Sequence, residues 1–160
     1  MSLTPMTPSP GFSRRTLLAV SATGLAVLVA GCTSPPADPR EQVTSKQADQ
    51  LAAQVAVQAT LVAAFAAAGS ADPALGSEVA ELASQADAQL TRLKAASPGS
   101  SASAAPPAAP AAPDARGWLR AQVTAAADSH ATAAVDQSGA RAALLGSIAA
   151  GLRGQDGRLA

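Results

Sequence analysis

Apolar side chains recur along the chain at the spacing of helices rather than of strands. In residues 48–65 and 75–93 they lie three, four or seven positions apart, so that each set forms one stripe on a helix. A third stripe covers residues 118–133, and a fourth, shorter one covers residues 144–152. No segment alternates between apolar and polar positions as a half-buried strand does. The pattern therefore predicts an all-α protein with four helices.

Two capping patterns compete for the start of the first helix. Asp38 and Pro39, followed by Glu41, resemble a capping box with proline at the first helical position. Thr44 with Gln47 three positions later offers a second start. In either case the apolar stripe places the body of the helix after this point.

The first helix is predicted to end near Ala68, with Gly69 as its stop. Asp72 and Pro73 form a cap and first position for the second helix, which carries the stripe from Leu75 onwards. The few residues between these helices allow only a tight reversal. Residues 39–96 are therefore predicted to form an antiparallel helical hairpin.

The second half of the chain follows a segment of Ser, Ala, Pro and Gly. This segment, residues 97–113, shows no periodicity and is predicted to be a disordered, extended linker. Asp114 then starts a third helix, residues 137–139 break it, and residues 114–153 form a second hairpin. Glycines weaken the last helix, so that residues 154–160 are expected to fray.

The first 31 residues have the features of an export signal. Arg14 and Arg15 precede an uncharged run over residues 16–30. As a helix this run is about 22 Å long, shorter than the roughly 30 Å of a bilayer core. We interpret residues 1–31 as a cleavable signal peptide. An uncleaved membrane anchor that extends to Thr33 is the alternative.

Residues 28–32, Leu-Val-Ala-Gly-Cys, resemble the bacterial lipobox, with cleavage between Gly31 and Cys32. Cys32 is the only cysteine of the chain, so it has no partner for an internal disulfide. The resemblance implies that Cys32 carries acyl chains such as palmitate, and that residues 32–38 tether the protein to the extracytoplasmic face of the cell membrane. A signal peptide whose cysteine stands there by chance is the alternative.

Residues 13–18, Ser-Arg-Arg-Thr-Leu-Leu, resemble a twin-arginine export signal. The family usually has Phe where Leu17 stands, and often Lys where Ala19 stands. The apolar run is diluted by Ser, Thr and Gly, as is typical of this route. An ordinary secretory signal with two arginines is the alternative.

The order of hairpin, long crossover and hairpin is similar to that of the ferritin-like fold. Short, alanine-rich ferritin-like domains occur behind twin-arginine lipoprotein signals in actinobacteria, and nine arginines against two lysines fit a high-GC genome of that kind. The resemblance implies a divergent, antiparallel four-helix bundle behind a cleavable lipoprotein signal.

The metal centre of active ferritin-like proteins uses glutamates and two Glu-x-x-His pairs, and this chain has no such pair. Its glutamates are Glu41, Glu78 and Glu81, of which the last two lie on a helix flank. We therefore expect no metal and no cofactor. His130, the only histidine, lies on the apolar face of the third helix and is interpreted as a hydrogen-bonded core residue; the alternative is a ligand contact.

Eleven basic residues balance eleven acidic ones, so charge gives no support for binding nucleic acid. The chain has no phosphate-binding glycine loop and no catalytic Ser-His-Asp arrangement, and we expect no enzyme. Trp118 is interpreted as a core or rim anchor rather than a ligand platform.

Two classes of function remain. The first is a lipid-anchored cell-envelope protein whose helical domain binds an envelope partner or scaffolds an assembly. The second is a degenerate ferritin-like module that still binds a metal or small ligand, with His130 as a contact.

Overall fold

The computed structural model describes residues 43–100, 108 and 110–160. These residues form five α-helices and one 3₁₀ turn and contain no strand, which confirms the all-α prediction for this part of the chain. The helices are α1 (Ser45–Ala71), α2 (Pro73–Glu78), α3 (Ala80–Ala96), α4 (Ala115–Val135) and α5 (Gly139–Arg158), and the 3₁₀ turn Ala112–Asp114 precedes α4.

Some predicted features fall outside the described residues. The signal peptide over residues 1–31, the tether over 32–38 and the first capping pattern all precede Val43. Most of the predicted linker, residues 101–107 and 109, also lies outside.

The start of α1 is fixed by a reciprocal pair of capping hydrogen bonds. Gln47 donates its backbone N–H to Thr44 Oγ1 over 3.2 Å, and Thr44 donates its own N–H to Gln47 Oε1 over 3.2 Å. This arrangement satisfies two of the amides that a helix start leaves without partners. The second of the two predicted starts is therefore present in the structure.

The prediction that Gly69 ends the first helix is wrong, because α1 continues to Ala71. The Asp72 N–H donates to Ala68 O over 2.9 Å and closes the last turn. The Asp72 carboxylate then accepts from the amides of Ala74 and Leu75, at 3.0 and 3.1 Å, and so caps α2. The reversal needs no left-handed residue, since one aspartate ends one helix and begins the next.

Gly69 instead allows the two helices of the reversal to touch. A Cβ atom added to Gly76 would lie 2.9 Å from Gly69 Cα, closer than such atoms approach in proteins. Because both residues lack side chains, α1 and α2 meet backbone to backbone at this point.

The second predicted helix is divided in the structure. Its two segments, α2 and α3, meet at Val79, whose φ of −94° and ψ of 7° are not helical. Hydrogen bonds from Val79 N to Leu75 O and from Ala83 N to Val79 O, both 2.9 Å, still bridge the break. Val79 is only 3% exposed, so its side chain belongs to the core despite the break in the helix.

All five helices contribute to one apolar core. Alanine fills many core positions, which allows neighbouring helices to approach closely. The largest fully buried apolar side chains are Leu51, Val55, Leu61, Leu93, Leu119, Val123, Leu145, Ile148 and Leu152.

Among the described residues, one helix, Ser45–Ala71, is long and apolar enough to cross a membrane by length and composition alone. The core helix of a bundle meets the same criterion, and this helix packs against α2, α3 and α4. Two of its buried residues, Gln54 and Gln58, are polar.

Contacts between helices give their directions. Gln47, near the start of α1, donates to the backbone oxygen of Asp136 after the end of α4, and Gln58 donates to Ala86 O in α3. At the opposite end of the bundle, Arg116 at the start of α4 pairs with Glu78. Thus α1 runs antiparallel to both α3 and α4, and α3 and α4 run in the same direction. The connection between Ala96 and Ala112 must therefore span the length of the bundle.

The prediction that residues 154–160 fray is wrong. Helix α5 continues to Arg158, and Leu159 is only 2% exposed. The Leu159 N–H donates to Gln155 O over 3.2 Å, and Arg158 lies 3.5 Å from Glu81. Burial of the leucine side chain offsets the poor helix propensity of the glycines before it.

The Gly69–Gly76 contact gives a direct test of the fold. Gly76→Ala should destabilise the protein by about 1–3 kcal/mol, because the new methyl group meets backbone that has no room to yield. Gly146→Ala is the matched control: its Cβ meets nothing within 4 Å, so it should stabilise α5 by up to about 1 kcal/mol. Urea unfolding measures the change in the free energy of unfolding for both variants. Equal changes in the two variants would contradict the Gly69–Gly76 contact.

Candidate functional site

A cluster of neutral polar side chains lies inside the bundle where α1, α3 and α4 meet. Gln58 on α1 and His130 on α4 are both fully buried, with Gln58 Oε1 2.9 Å from His130 Nε2. The Gln58 amide nitrogen donates to Ala86 O over 2.9 Å and to Gln89 Oε1 over 3.1 Å. One glutamine thus connects three helices.

The helical periodicity explains why Gln58 faces inwards. It lies three residues after Val55 and three before Leu61, both of which are buried in the core. The backbone oxygen of Ala86 accepts the Gln58 amide proton over 2.9 Å. A buried amide in such a stripe is tolerated because its polar atoms have partners.

The hydrogen bonds assign the tautomer of His130. Since the Gln58 nitrogen donates to Ala86 O, it is the Gln58 oxygen that faces the ring, and His130 Nε2 must therefore carry the proton. Nδ1 is then an unprotonated acceptor, buried and without a partner among the described residues. Burial lowers the pKa of His130 to about 4, so that the ring is neutral near pH 7.

The cluster continues along the seam between α1 and α4. Ser129 donates to Gln54 Oε1 over 3.2 Å, and Gln54 is 8% exposed. An open groove of about 430 Å³ follows the outside of this seam, and its lining includes Gln50, Gln54, Thr132 and Asp136. The seam therefore presents amides, hydroxyls, small side chains and the carboxylates of Asp128 and Asp136 to the surface.

No group of three or more His, Cys, Asp or Glu residues lies close enough to hold a metal ion in the part of the chain that the structure describes. Asp128, two positions before His130, is exposed and lies 3.7 Å from Arg153. The cluster around His130 consists instead of uncharged amides and backbone oxygen.

The remaining candidate residues are distributed over the structure. Glu78 pairs with Arg116 and Glu81 with Arg158, all four exposed, so both glutamates are solvated flank residues. Trp118 is half-buried and packs against the core. His130 is fully buried and hydrogen-bonded, as its interpretation as a core residue requires.

The proposed export and lipidation residues, Arg14, Arg15, Gly31 and Cys32, lie outside the described residues.

The sequence pattern did not reveal the role of Gln58, which was seen only as a polar residue within the apolar stripe. The signal that reveals it is the pair Gln54 and Gln58, one turn apart on the core face, opposite a helix that carries a lone histidine. Buried polar groups on facing helices need each other as partners.

Comparisons with known proteins give no match: no family model fits this chain, and no curated protein sequence or solved structure is significantly similar to it.

The buried imidazole makes stability depend on pH. Below about pH 6.5 the unfolded chain binds a proton at His130, whereas the folded chain binds it only below about pH 4. The free energy of unfolding should therefore fall as the pH is lowered. We expect a loss of about 2 kcal/mol between pH 7 and about pH 4.7 in urea unfolding.

His130→Gln is the control for this loss, because an amide can keep the hydrogen bond to Gln58 but does not titrate. The carboxyl pKa values of Glu78 and Asp156 are lowered by hydrogen bonds from Arg116 and Arg120, so these carboxylates are protonated only below the ordinary carboxyl range. If His130→Gln keeps the pH dependence of the wild type, His130 is not the group that causes the loss of stability.

The Gln58–His130 pair should also be coupled energetically. Gln58→Leu and His130→Leu should each destabilise the protein by about 1–3 kcal/mol, since each leaves a buried polar group without its partner. The double variant removes both groups and should cost about 1–2 kcal/mol less than the sum of the two. Urea unfolding of the wild type, the two single variants and the double variant completes the double-mutant cycle. Losses in the free energy of unfolding that simply add would argue against the hydrogen bond.

Proposed function

We propose that this protein is a lipoprotein of the bacterial cell envelope, held on the extracytoplasmic face of the membrane by acyl chains on Cys32. The observation that carries the proposal is the position of the only cysteine, at the end of Leu-Val-Ala-Gly-Cys behind a short uncharged run. Two or three acyl chains suffice for stable anchoring. Arg14 and Arg15 support export by the twin-arginine route.

We further propose that the domain behind the anchor is an antiparallel four-helix bundle of ferritin-like layout. The helix directions support this: α1 and α3 form one hairpin, α4 and α5 the other, and the connection crosses from one end of the bundle to the other. A bundle with one long crossover has this arrangement.

The domain's role in this proposal is to bind or scaffold an envelope partner without catalysis. The interior cluster supports it, because Gln58, Gln89 and the Nε2 of neutral His130 form hydrogen bonds with one another and with the backbone oxygen of Ala86. The groove along the α1–α4 seam supplies an accessible surface of amides, hydroxyls and two carboxylates for such a partner.

A degenerate ferritin-like module that retains a ligand is the second candidate. One observation favours it: the buried Nδ1 of His130 has no partner among the described residues, although it is a competent metal ligand or hydrogen-bond acceptor. Metal analysis of the purified protein separates the two functions. Stoichiometric iron, manganese or zinc in the wild type that is absent from His130→Gln would favour the ligand-binding module.

The lipid anchor is tested by mass spectrometry of the protein purified from membranes. The expected N-terminus is Cys32 with a diacylglyceryl adduct, and Cys32→Ser should move the protein out of the acylated, membrane-bound fraction or leave its signal uncleaved. An intact N-terminus with unmodified Cys32 would indicate the membrane-anchor alternative.

The export route is tested separately. Replacing Arg14 and Arg15 with lysine keeps the charge but removes the twin-arginine pattern, so export should fail only if that route is used. Normal export of this variant would indicate the general secretory route while leaving the lipid anchor intact.

A further inference from the structure

The two ends of the bundle differ in charge. The start of α1, the ends of α3 and α4 and the start of α5 lie at one end, which we call the entry end because the described chain enters α1 there. The two turns of each helix nearest the entry end, with the turn between α4 and α5, carry four basic and two acidic side chains. The opposite end, which includes Asp72, α2 and the 3₁₀ turn, carries four basic and five acidic ones. The balanced charge of the whole chain therefore conceals an asymmetry along the bundle.

The basic side chains of the two ends also differ in their partners. Those of the opposite end each pair with a carboxylate, and they are Arg116, Arg120, Arg153 and Arg158. Those of the entry end form no ion pair with any described residue, and they are Lys46, Arg92, Lys94 and Arg141. All of these except Arg141 are exposed. Positive charges that the protein itself does not pair are available to an anionic surface.

Exposed apolar side chains are found at the same end. Among the described residues, the large apolar side chains that are exposed are Val135, the last residue of α4, at 84%, and Val43, just before α1, at 46%. A single exposed valine needs no explanation. Two valines beside a group of unpaired cations, however, match a surface that meets a bilayer, where apolar groups enter the interface and cations meet anionic headgroups.

The cations of the entry end lie at a similar depth from it. Arg92, the farthest, is four residues before the last residue of α3, or about 6 Å along the helix axis. This distance is less than the roughly 8 Å over which charges act at physiological ionic strength. A flat anionic surface across the entry end therefore attracts all four cations. The acidic opposite end lies beyond its reach, because α1 alone is about 40 Å long.

We propose that the entry end of the bundle docks on a bilayer surface rich in anionic phospholipid, with the two exposed valines at the interface and the unpaired cations on the headgroups. This proposal rests on the proposed lipid anchor. Cys32 precedes Val43 by only eleven positions, a reach of at most about 40 Å, so the anchor keeps the entry end near the membrane. At the high effective concentration that such a tether gives, a weak attraction is enough to set the orientation. The helices then stand upright, which leaves the groove along the α1–α4 seam open to an envelope partner.

The test measures the orientation of the lipidated full-length protein on vesicles. Cys32 is acylated in that protein, so an introduced cysteine is the only free thiol and can carry a fluorophore. Ser138→Cys places the fluorophore at the entry end and Ser77→Cys at the opposite end, and both serines are exposed. The vesicles consist of phosphatidylcholine with or without phosphatidylglycerol. A small share of phosphatidylcholine with a nitroxide on its headgroup quenches any fluorophore close to the surface.

Phosphatidylglycerol should increase the quenching of the Ser138 label at least about twofold over phosphatidylcholine alone, and should leave that of the Ser77 label unchanged. The tether is the same in both kinds of vesicle, so it cannot cause this difference. In about 1 M salt the difference should vanish, because charges then act over only about 3 Å.

Two charge variants assign the attraction to the entry end. Lys46→Gln combined with Lys94→Gln should lower the ratio of docked to undocked protein about 25-fold, since each cation near an anionic surface contributes a factor of about five. Arg153→Gln combined with Arg158→Gln is the matched control. It removes the same charge from the opposite end and should change that ratio less than about twofold.

Val135→Ser tests the apolar contact. It should weaken docking about threefold or more, because less apolar surface enters the interface. Since Val135 is exposed in the bundle, urea unfolding of this variant should match that of the wild type.

Three results would overturn the proposal: equal quenching of the Ser138 label in the two kinds of vesicle, equal quenching of the two labels on phosphatidylglycerol, or equal losses of docking in the two charge variants. A Ser138 signal that follows the protein-to-lipid ratio instead of phosphatidylglycerol would make a second copy of the chain the occupant, and would also overturn it.

The anchor is decided separately, by the mass of the N-terminal peptide. If the uncleaved signal holds the protein on the vesicle instead, Cys32→Ser keeps the introduced thiol unique and the same comparison of labels applies. Failure of the docking surface and failure of the lipid anchor are therefore distinguishable.

Discussion

The Gln58 amide fixes how three helices of this bundle sit against one another. Its oxygen faces His130 on α4, and its nitrogen reaches Ala86 O and Gln89 on α3. Alanine-rich helix faces are nearly featureless and slide past each other at little cost, so apolar contact alone specifies their register poorly. A buried amide whose atoms must all find partners penalises every other register. The alanines provide close packing, and the hydrogen bonds select one arrangement of it.

Sequence reasoning recovered what depends on local periodicity and missed what depends on tertiary partners. The apolar stripe that includes Leu51 and Val55 predicted α1, and Asp72 before proline predicted the start of α2, because spacing and capping are local properties. The continuation of α1 through Gly69 and the order of the C-terminal turn were mispredicted. The second depends on a tertiary contact, the burial of Leu159. The first depends on local capping, since Asp72 closes the last turn of α1 and begins α2.

In the candidate site, too, local spacing could be predicted from the sequence and tertiary partners could not. His130 was placed on the apolar face of its helix by spacing alone, and its burial agrees with that position. Its partner and tautomer required the structure, since Gln58 lies 72 residues away along the chain. The groove along the α1–α4 seam was not predicted either, because its lining comes from two helices that are far apart along the chain.

The crossing between the hairpins has a consequence for how this chain tolerates length changes. Fifteen residues separate Ala96 from Ala112, while α3 alone, with 17 residues, is about 25 Å long. A fully extended chain needs roughly eight residues to cover that distance. Deletions are therefore tolerated down to a sharp limit, below which the second hairpin must dock upside down or not at all. Insertions meet no such limit, because doubling the segment costs only about 0.6 kcal/mol of closure entropy. Related chains should thus vary widely in the length of this crossing, but none should have fewer than about eight residues here.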